Sequence, residues 1–138
     1  MPNFSQASLD QLKTCHQKLQ LIANAAIKIF DFKVVEGFRD QADQHAAFLA
    51  GNSKLDWPNG NHNQNPSRAM DCYPWPVDFS DHPKNLERFV YMQGVFLATA
   101  NSLGIKIRQG IDWNQNQDMR DEGSFRDYPH IELDKSEV

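Results

Sequence analysis

Two histidines and two aspartates in this sequence are of the residue types that metal-assisted hydrolysis would need. A zinc hydrolase uses three histidine or carboxylate ligands, an open fourth position for water, and a nearby carboxylate that takes the proton from that water. Such a set is available in His62, Asp71, His130 and Asp127. The candidate chemistry is therefore hydrolysis at a zinc site.

These residues lie where predicted loops and strands meet. Residues 52–66 are rich in Asn, Gly and Pro and lack a hydrophobic period, which predicts a surface loop that carries His62. Residues 68–73 predict a short strand on which Asp71 points inward, and His130 opens the last strand. We expect the three metal candidates to converge at one end of a sheet.

The remaining patterns predict the elements around that site. Apolar residues at alternating steps of three and four predict one long helix from a capping box at Ser8 to Ile29. A strand, a turn and a helix capped by Asp40 follow. The other predicted elements are strands at 105–111 and 131–133 and a second long helix at 84–103. We expect one α+β domain, residues 1–138, with helices packed on one face of a small, mostly antiparallel sheet.

Composition excludes several classes of function. The net charge is −4 and the Lys and Arg residues are scattered, unlike those of a nucleic-acid-binding protein. No apolar run is as long as a membrane span, and the first ten residues lack the pattern of a secretory signal. Cys15 and Cys72 do not form a CxxC pair and are expected to be buried thiols.

Three stretches carry a family resemblance. They are Glu36-Gly37-Phe38-Arg39 with Gln44 downstream, His62 through Ser67-Arg68-Ala69-Met70-Asp71, and Asp127-Tyr128-Pro129-His130-Ile131-Glu132-Leu133. In order and separation they resemble the zinc peptidases that include D-Ala-D-Ala carboxypeptidases and dipeptidases and the phage L-alanyl-D-glutamate endolysins. The resemblance covers almost the whole chain.

That resemblance implies a role for each stretch. His62, Asp71 and His130 would bind zinc, and Asp127 would be the general base. Arg39 would face the substrate and steady charge at the scissile carbonyl or a nearby carboxylate, for which its planar guanidinium is suited. The chain departs from the family in one respect: eight residues separate His62 from Asp71, where many members have six.

Two alternatives remain open within the site. Glu132 competes with Asp127 for the role of base, because Glu132 shares a strand face with His130. Pro129 weakens the case against Asp127, since it marks an irregular entry to the strand, and the family pattern implies Asp127 as the base. Glu132 would then orient His130. The rival metal ligand is His82, which we interpret as a solvated loop residue together with Asp78 and Asp81.

Other residues are candidates for the cleft or for contacts behind the ligands. They are Glu132, Gln44, Ser67, Asp112 and Trp113. For Asp112 and Trp113, a turn carboxylate beside a core indole is an equal interpretation. The sequence also leaves open whether the acidic segment 112–127 binds a second ion such as calcium.

The expected function is a zinc-dependent L-alanyl-D-glutamate endopeptidase of the phage endolysin type. Its partner would be the peptidoglycan stem peptide, and we expect a monomer that does not bind nucleic acid and has no membrane span. Lacking a secretory signal, it would be made in the host cytoplasm and reach the wall after membrane permeabilisation. The alternatives are a D-Ala-D-Ala carboxypeptidase or dipeptidase, and a non-catalytic metal-binding module that recognises the cell wall.

Overall fold

The computed structural model describes residues 2–138, and these form an α+β fold of four α-helices and four strands. The helices are α1 (Gln6–Leu12), α2 (Gln17–Ala26), α3 (Gln41–Leu49) and α4 (Asn85–Ser102). The strands are β1 (Phe32–Glu36), β2 (Ala69–Pro74), β3 (Ile107–Gln109) and β4 (His130–Leu133). Short 3₁₀ turns cover Asn61–Asn63 and Met119–Asp121. The predicted fold class is confirmed.

The four strands form one antiparallel sheet in the order β1-β2-β4-β3. The short last strand therefore lies inside the sheet, between β2 and β3. Asp71 is directly opposite His130, and Arg108 is directly opposite Glu132. Because opposite residues of antiparallel strands point to the same side, these four side chains share one face.

The two faces of the sheet have different characters. One face is apolar and packs against α1, α2 and α4. Its buried residues include Val34, Met70, Cys72, Ile131 and Leu133, which meet helix residues such as Leu19, Ile22, Met92 and Phe96. Burying such a side chain fully contributes roughly 1.5–3 kcal/mol, so this face holds the helices in place. The opposite face is left to the polar residues of the candidate site.

The single long helix predicted at the start of the chain is wrong, since α1 and α2 are separate. Residues 13–16 leave the helical path to pair with Ser67: the Ser67 amide donates to the Thr14 carbonyl at 2.9 Å, and the His16 amide donates to the Ser67 carbonyl at 2.8 Å. The His16 ring then caps α2 by accepting from the Lys18 amide at 3.0 Å. The N-cap of α1 is Ser5 and not Ser8.

The other predicted helices are confirmed. Asp40 caps α3 by accepting from the Asp43 amide at 2.9 Å. Gly51 and Gly104, which follow α3 and α4, have positive φ angles of 78° and 71°, the left-handed conformation in which glycine commonly ends a helix. None of the helices within residues 2–138 combines the length and apolar character required to cross a bilayer.

Both cysteines are free and buried, as predicted. Burial raises the pKa of the Cys15 thiol to about 12, since the thiolate would lose its hydration. Neither sulfur is therefore a reactive group under ordinary conditions.

Candidate metal centre and substrate clefts

Three side chains converge on the polar face of the sheet. His62 comes from the 3₁₀ turn Asn61–Asn63, Asp71 from β2 and His130 from the start of β4. One ligand atom from each lies within 4.8 Å of the others. Asp71 Oδ1 is 3.3 Å from His62 Nε2 and 3.3 Å from His130 Nδ1. The structure thus brings together the three residues predicted as metal ligands, despite the long loop after His62.

Two atoms of this cluster are buried without a hydrogen-bond partner, namely His62 Nε2 and Asp71 Oδ1. Leaving a buried polar atom unpaired costs roughly 1–3 kcal/mol, so native structures usually satisfy such atoms. A lone pair on an imidazole nitrogen and a carboxylate oxygen, facing each other, are the donors that a divalent metal takes. The cluster therefore fits a metal such as zinc.

The far sides of both imidazole rings are held by hydrogen bonds. His62 Nδ1 lies 2.7 Å from the Gly37 carbonyl oxygen, which can only accept, so Nδ1 carries the proton and Nε2 is left with a lone pair. His130 Nε2 lies 2.8 Å from Glu132 Oε1. These contacts point the other ring nitrogens, His62 Nε2 and His130 Nδ1, into the cluster, as is usual for metal-binding histidines.

Glu132 is itself fixed by two residues that sequence analysis missed. Its Oε2 accepts from Asn61 Nδ2 at 2.9 Å and from Arg108 Nε at 3.0 Å. Although burial would raise the pKa of Glu132, its contacts with His130 and Arg108 lower it. Glu132 is therefore an ionised residue whose two oxygens are occupied behind His130.

The charges of the cluster shift its pKa values in opposite directions. Burial alone would raise the pKa of Asp71, but attraction to His62 and His130 holds it well below its usual range. Burial alone would lower the pKa of His130, but its contacts with Asp71 and Glu132 raise it to about 10. Without a metal, Asp71 is thus an anion and His130 a cation at neutral pH.

Asp127 faces the cluster from the segment before β4. Its Oδ2 lies 3.8 Å from His130 Nδ1, and its backbone amide donates to the Gly110 carbonyl at 2.9 Å. Burial, followed by repulsion from Asp71, raises the pKa of Asp127 to about 6. Of the two candidate bases, Asp127 has the carboxylate on the open side of the cluster, whereas that of Glu132 is enclosed behind it.

Arg39 lies beside Asp71 at the start of α3. Its Nε and Nη2 donate to the two oxygens of Glu36 at 3.0 and 2.9 Å, and Nη2 also lies 3.4 Å from Asp71 Oδ2. Burial would lower the pKa of Arg39, but Glu36 and the nearby aspartates raise it. The guanidinium is therefore a fixed positive charge next to the carboxylate of Asp71.

Two clefts meet at the cluster. The cationic cleft, about 520 Å³ in volume, is lined by His62 and His130 and by the cations Lys54 and Arg108. The aromatic cleft, about 870 Å³ in volume, is lined by Asp71 and by aromatic residues that include Tyr73, Phe79 and Phe89. Arg39, Phe125 and Asp127 line both clefts, so the two clefts adjoin at these residues, and together they are called the groove. His62 and His130 line its cationic part, and Asp71 lines its aromatic part.

Comparisons with known proteins identify the family and the fold. A sequence model of the family described as phage L-alanyl-D-glutamate peptidase matches residues 2–134. The chain belongs to this family. It is 33% identical to the L-alanyl-D-glutamate peptidase of Escherichia phage T5, over 94% of this chain and 96% of that protein. Its fold resembles that of the L-Ala D-Glu endopeptidase ChiX of Serratia marcescens, with a TM-score of 0.72 and 21% identity, over 96% of this chain and 90% of that one.

Gln44 is buried behind Arg39. Its Oε1 accepts from Arg39 Nη1 and from Asn63 Nδ2, each at 3.0 Å. Its Nε2 donates to Ser53 Oγ at 3.0 Å and to the Leu55 carbonyl. One side chain thereby positions the guanidinium and also anchors the loop that forms a wall of the cationic cleft.

The other predicted cleft residues have different placements. Trp113 lines the cationic cleft, with its ring centroid 5.4 Å from that of His130. Asp112 is buried in the turn below, where Oδ2 accepts from the Gln117 amide at 2.8 Å and Oδ1 has no partner. Ser67 lines neither cleft and bonds to the Ala69 carbonyl at 2.6 Å. His82 is exposed and lies outside the metal cluster.

Two glycines support the site through their lack of a side chain. A Cβ atom at Gly110 would collide with the carbonyl of Asp127, and one at Gly37 would lie 2.7 Å from the Gln11 carbonyl oxygen. Gly110 anchors the backbone of Asp127, and Gly37 anchors the ring of His62. Sequence analysis assigned neither a role in the site, although Gly37 stands in the first of the matching stretches.

Proposed function

We propose that this peptidase is a zinc-dependent L-alanyl-D-glutamate endopeptidase of the endolysin type, and that residues 1–138 form one peptidase domain. The observation that carries the proposal is the unpartnered pair of buried atoms, His62 Nε2 and Asp71 Oδ1, beside His130 Nδ1. Membership of the phage L-alanyl-D-glutamate peptidase family supports the choice of bond. The substrate is the peptidoglycan stem peptide.

The proposed zinc ligands are His62, Asp71 and His130. Three protein ligands leave a position open, which is the arrangement of catalytic zinc sites. When bound, zinc supplies Lewis acidity, which polarises a carbonyl and lowers the pKa of water to ~7. The contacts of His62 with Gly37 and of His130 with Glu132 orient the rings for this task.

Asp127 is the proposed general base. Its carboxylate lies on the open side of the cluster, and its pKa of about 6 is close to neutral pH. A base with a pKa near the working pH can accept a proton from the attacking water and return it to the leaving amine. Glu132 acts instead as a positioning residue through His130.

Arg39 is proposed to steady charge at the scissile carbonyl. Glu36 and Gln44 hold its guanidinium in place, so its charge needs no rearrangement during the reaction. The same guanidinium lies 3.4 Å from Asp71 Oδ2, so it also places a positive charge beside a proposed ligand.

As an endolysin, the protein would be made in the host cytoplasm and would act on the wall after membrane permeabilisation, as a monomer. Among the alternatives, a D-Ala-D-Ala carboxypeptidase would use the same ligands. A non-catalytic wall-binding module is disfavoured by Asp127, because a binding site has no need of a carboxylate poised beside its metal.

The test is digestion of purified peptidoglycan with and without a chelator, followed by mass spectrometry of the products. We expect new termini at L-Ala and D-Glu, and no release when the metal is removed. Release of free D-Ala would identify a carboxypeptidase. Binding to the wall without any release would identify a recognition module.

A further inference from the structure

The groove has two ends that differ in charge. Since the cationic and aromatic clefts share Arg39, Phe125 and Asp127, a peptide whose scissile bond lies at the metal cluster can extend into both. Which end of the substrate enters which cleft is therefore a question of complementarity.

The cationic cleft contains a lysine without a charged partner. Lys54 is exposed, its Nζ lies 5.2 Å above the ring centre of Phe125, and it takes part in none of the salt bridges among residues 2–138. Arg108, the other cation named for this cleft, is paired with Glu132 at 2.9 Å. Gln44 holds the residues on both sides of Lys54. The ammonium is thus presented to the cleft and is free to bind an anion.

The aromatic cleft offers ring faces instead. Phe79 is 83% exposed and lies 5.7 Å from Tyr73, which in turn packs at 5.3 Å against Phe89. Glu36, Asp43, Asp71 and Asp78 also line this cleft, and Arg39 is paired with Glu36. Arg126, the remaining cation of the lining, is directed to the Met119 carbonyl. Carboxylates outnumber cations in this lining, so this end disfavours an anionic ligand, and its exposed rings offer apolar faces.

The proposed substrate has the same asymmetry. On the acyl side, L-Ala is joined through its amine to the lactyl group of an amino sugar, so this side carries no charge. On the leaving side, D-Glu is linked through its γ-carboxyl group, so its α-carboxylate is free, and further carboxylates follow along the peptide. Carboxylates pair with cations, whereas the C–H face of a sugar packs on aromatic rings.

We propose, on the basis of the proposed function, that the leaving peptide binds in the cationic cleft and the sugar on the acyl side binds in the aromatic cleft. Lys54 is the specificity-determining residue for the carboxylates of the leaving peptide. Phe79 is the platform for the sugar.

The first experiment uses zinc-loaded protein and two peptides that differ only in whether the leaving-side carboxylates are free or amidated. We expect wild-type kcat/KM to be roughly 10-fold higher for the free carboxylates, as for one charge-assisted contact. Lys54→Gln should bring the ratio close to 1. The matched control is Lys28→Gln, an exposed lysine that lines neither cleft, and it should keep the wild-type ratio.

The second experiment compares a peptide attached to its amino sugar with the free peptide. Phe79→Ala should raise KM for the sugar-linked substrate by roughly 3- to 10-fold and leave KM for the free peptide unchanged. Tyr91→Ala removes an aromatic ring that is 67% exposed outside both clefts, and it should leave both KM values unchanged.

The pattern across the two experiments decides the outcome. If Lys54→Gln keeps the carboxylate preference, or if the wild type has none, the assignment of the cationic cleft is overturned. If Phe79→Ala changes both substrates equally or neither, the assignment of the aromatic cleft is overturned. A wild-type protein that cuts neither peptide contradicts the proposed function itself, whereas cleavage with the wrong selectivity contradicts only this inference.

Discussion

The candidate site draws its residues from strands and from loops, and these two regions hold them differently. Asp71 and His130 are opposite each other on β2 and β4, so the hydrogen-bond ladder of the sheet sets their spacing. His62 and Asp127 come from irregular segments, and contacts to the carbonyls of Gly37 and Gly110 help hold them. The sheet fixes one half of the site, and a few specific hydrogen bonds fix the other.

This difference corresponds to a division of tasks. The strand residues form a charge network, since Asp71, His130 and Glu132 shift each other's pKa values through direct contacts. The loop residues complete the proposed metal site, through His62, and place the Asp127 carboxylate on its open side. We therefore expect substitutions of the loop residues to remove individual functions, and a substitution of Glu132, which supports His130 without being a proposed ligand, to weaken the site to a smaller extent.

The largest expected effect is loss of the metal. His62→Ala removes the ligand supplied by a loop and should abolish stoichiometric zinc binding together with activity. His82→Ala is the matched control from another loop and should retain both. Elemental analysis after zinc titration measures the outcome. If His82→Ala lost the zinc and His62→Ala kept it, the histidine ligand would lie in the loop of His82 and not in that of His62.

The second-largest expected effect is a loss of catalysis without a loss of metal binding, in Asp127→Asn. Asp127→Asn keeps the shape of the side chain but removes the group that accepts a proton, so hydrolysis should fall by about 10²–10⁴-fold. Zinc content should stay at the wild-type value, since Asp127 is not a proposed ligand. Initial rates and zinc content measured on the same sample test this. If Asp127→Asn were fully active and Glu132→Gln were inactive but still bound zinc, the role of base would belong to Glu132.

A smaller effect is expected on the strand side. Glu132→Gln keeps a hydrogen-bond acceptor near His130 but loses the charge that Arg108 and Asn61 hold in place. Loss of such a supporting contact typically costs roughly 10- to 100-fold in metal affinity or activity. Competition with a chelating dye gives the affinity. An unchanged affinity and rate would show that the sheet alone orients His130.

The smallest expected effect is a release of protons. In the metal-free protein His130 has a pKa of about 10 and is charged at pH 7.5, but only a neutral imidazole binds zinc. Asp71, with its lowered pKa, is already ionised and releases no proton. Zinc binding at pH 7.5 should therefore release about one proton from the His130 ring. Calorimetry in buffers of different ionisation enthalpy measures this number, and zero release would contradict the charge network.

Sequence patterns predicted the parts of the site that depend on local order. The alternation in residues 69–73 correctly placed Ala69, Asp71 and Tyr73 on one face, and the capping residue Asp40 correctly marked the start of α3. These features depend on strand pleat and on backbone amides a few residues away, which a sequence displays directly.

Long-range pairing determined the parts that the sequence could not show. The first helix is broken by Ser67, which is more than 50 positions away, and periodicity within the helix carries no sign of that partner. In the same way, Arg108 and Asn61 meet at Glu132 only because of strand register and the fold of the 52–66 loop. Gly110 was overlooked because its contribution is the space that it leaves for Asp127.

The double attachment of Gln44 has a consequence for directed evolution. Its amide holds Arg39 with one end and the backbone around Lys54 with the other, so the loop of the cationic cleft is fastened from behind and not through its own exposed side chains. A library that randomises Asn52, Lys54 and Leu55 while keeping Gln44 and Ser53 would change the cleft wall without touching a proposed ligand. Such a library offers a route to altered stem-peptide selectivity, whereas one that includes position 44 would consist largely of inactive clones.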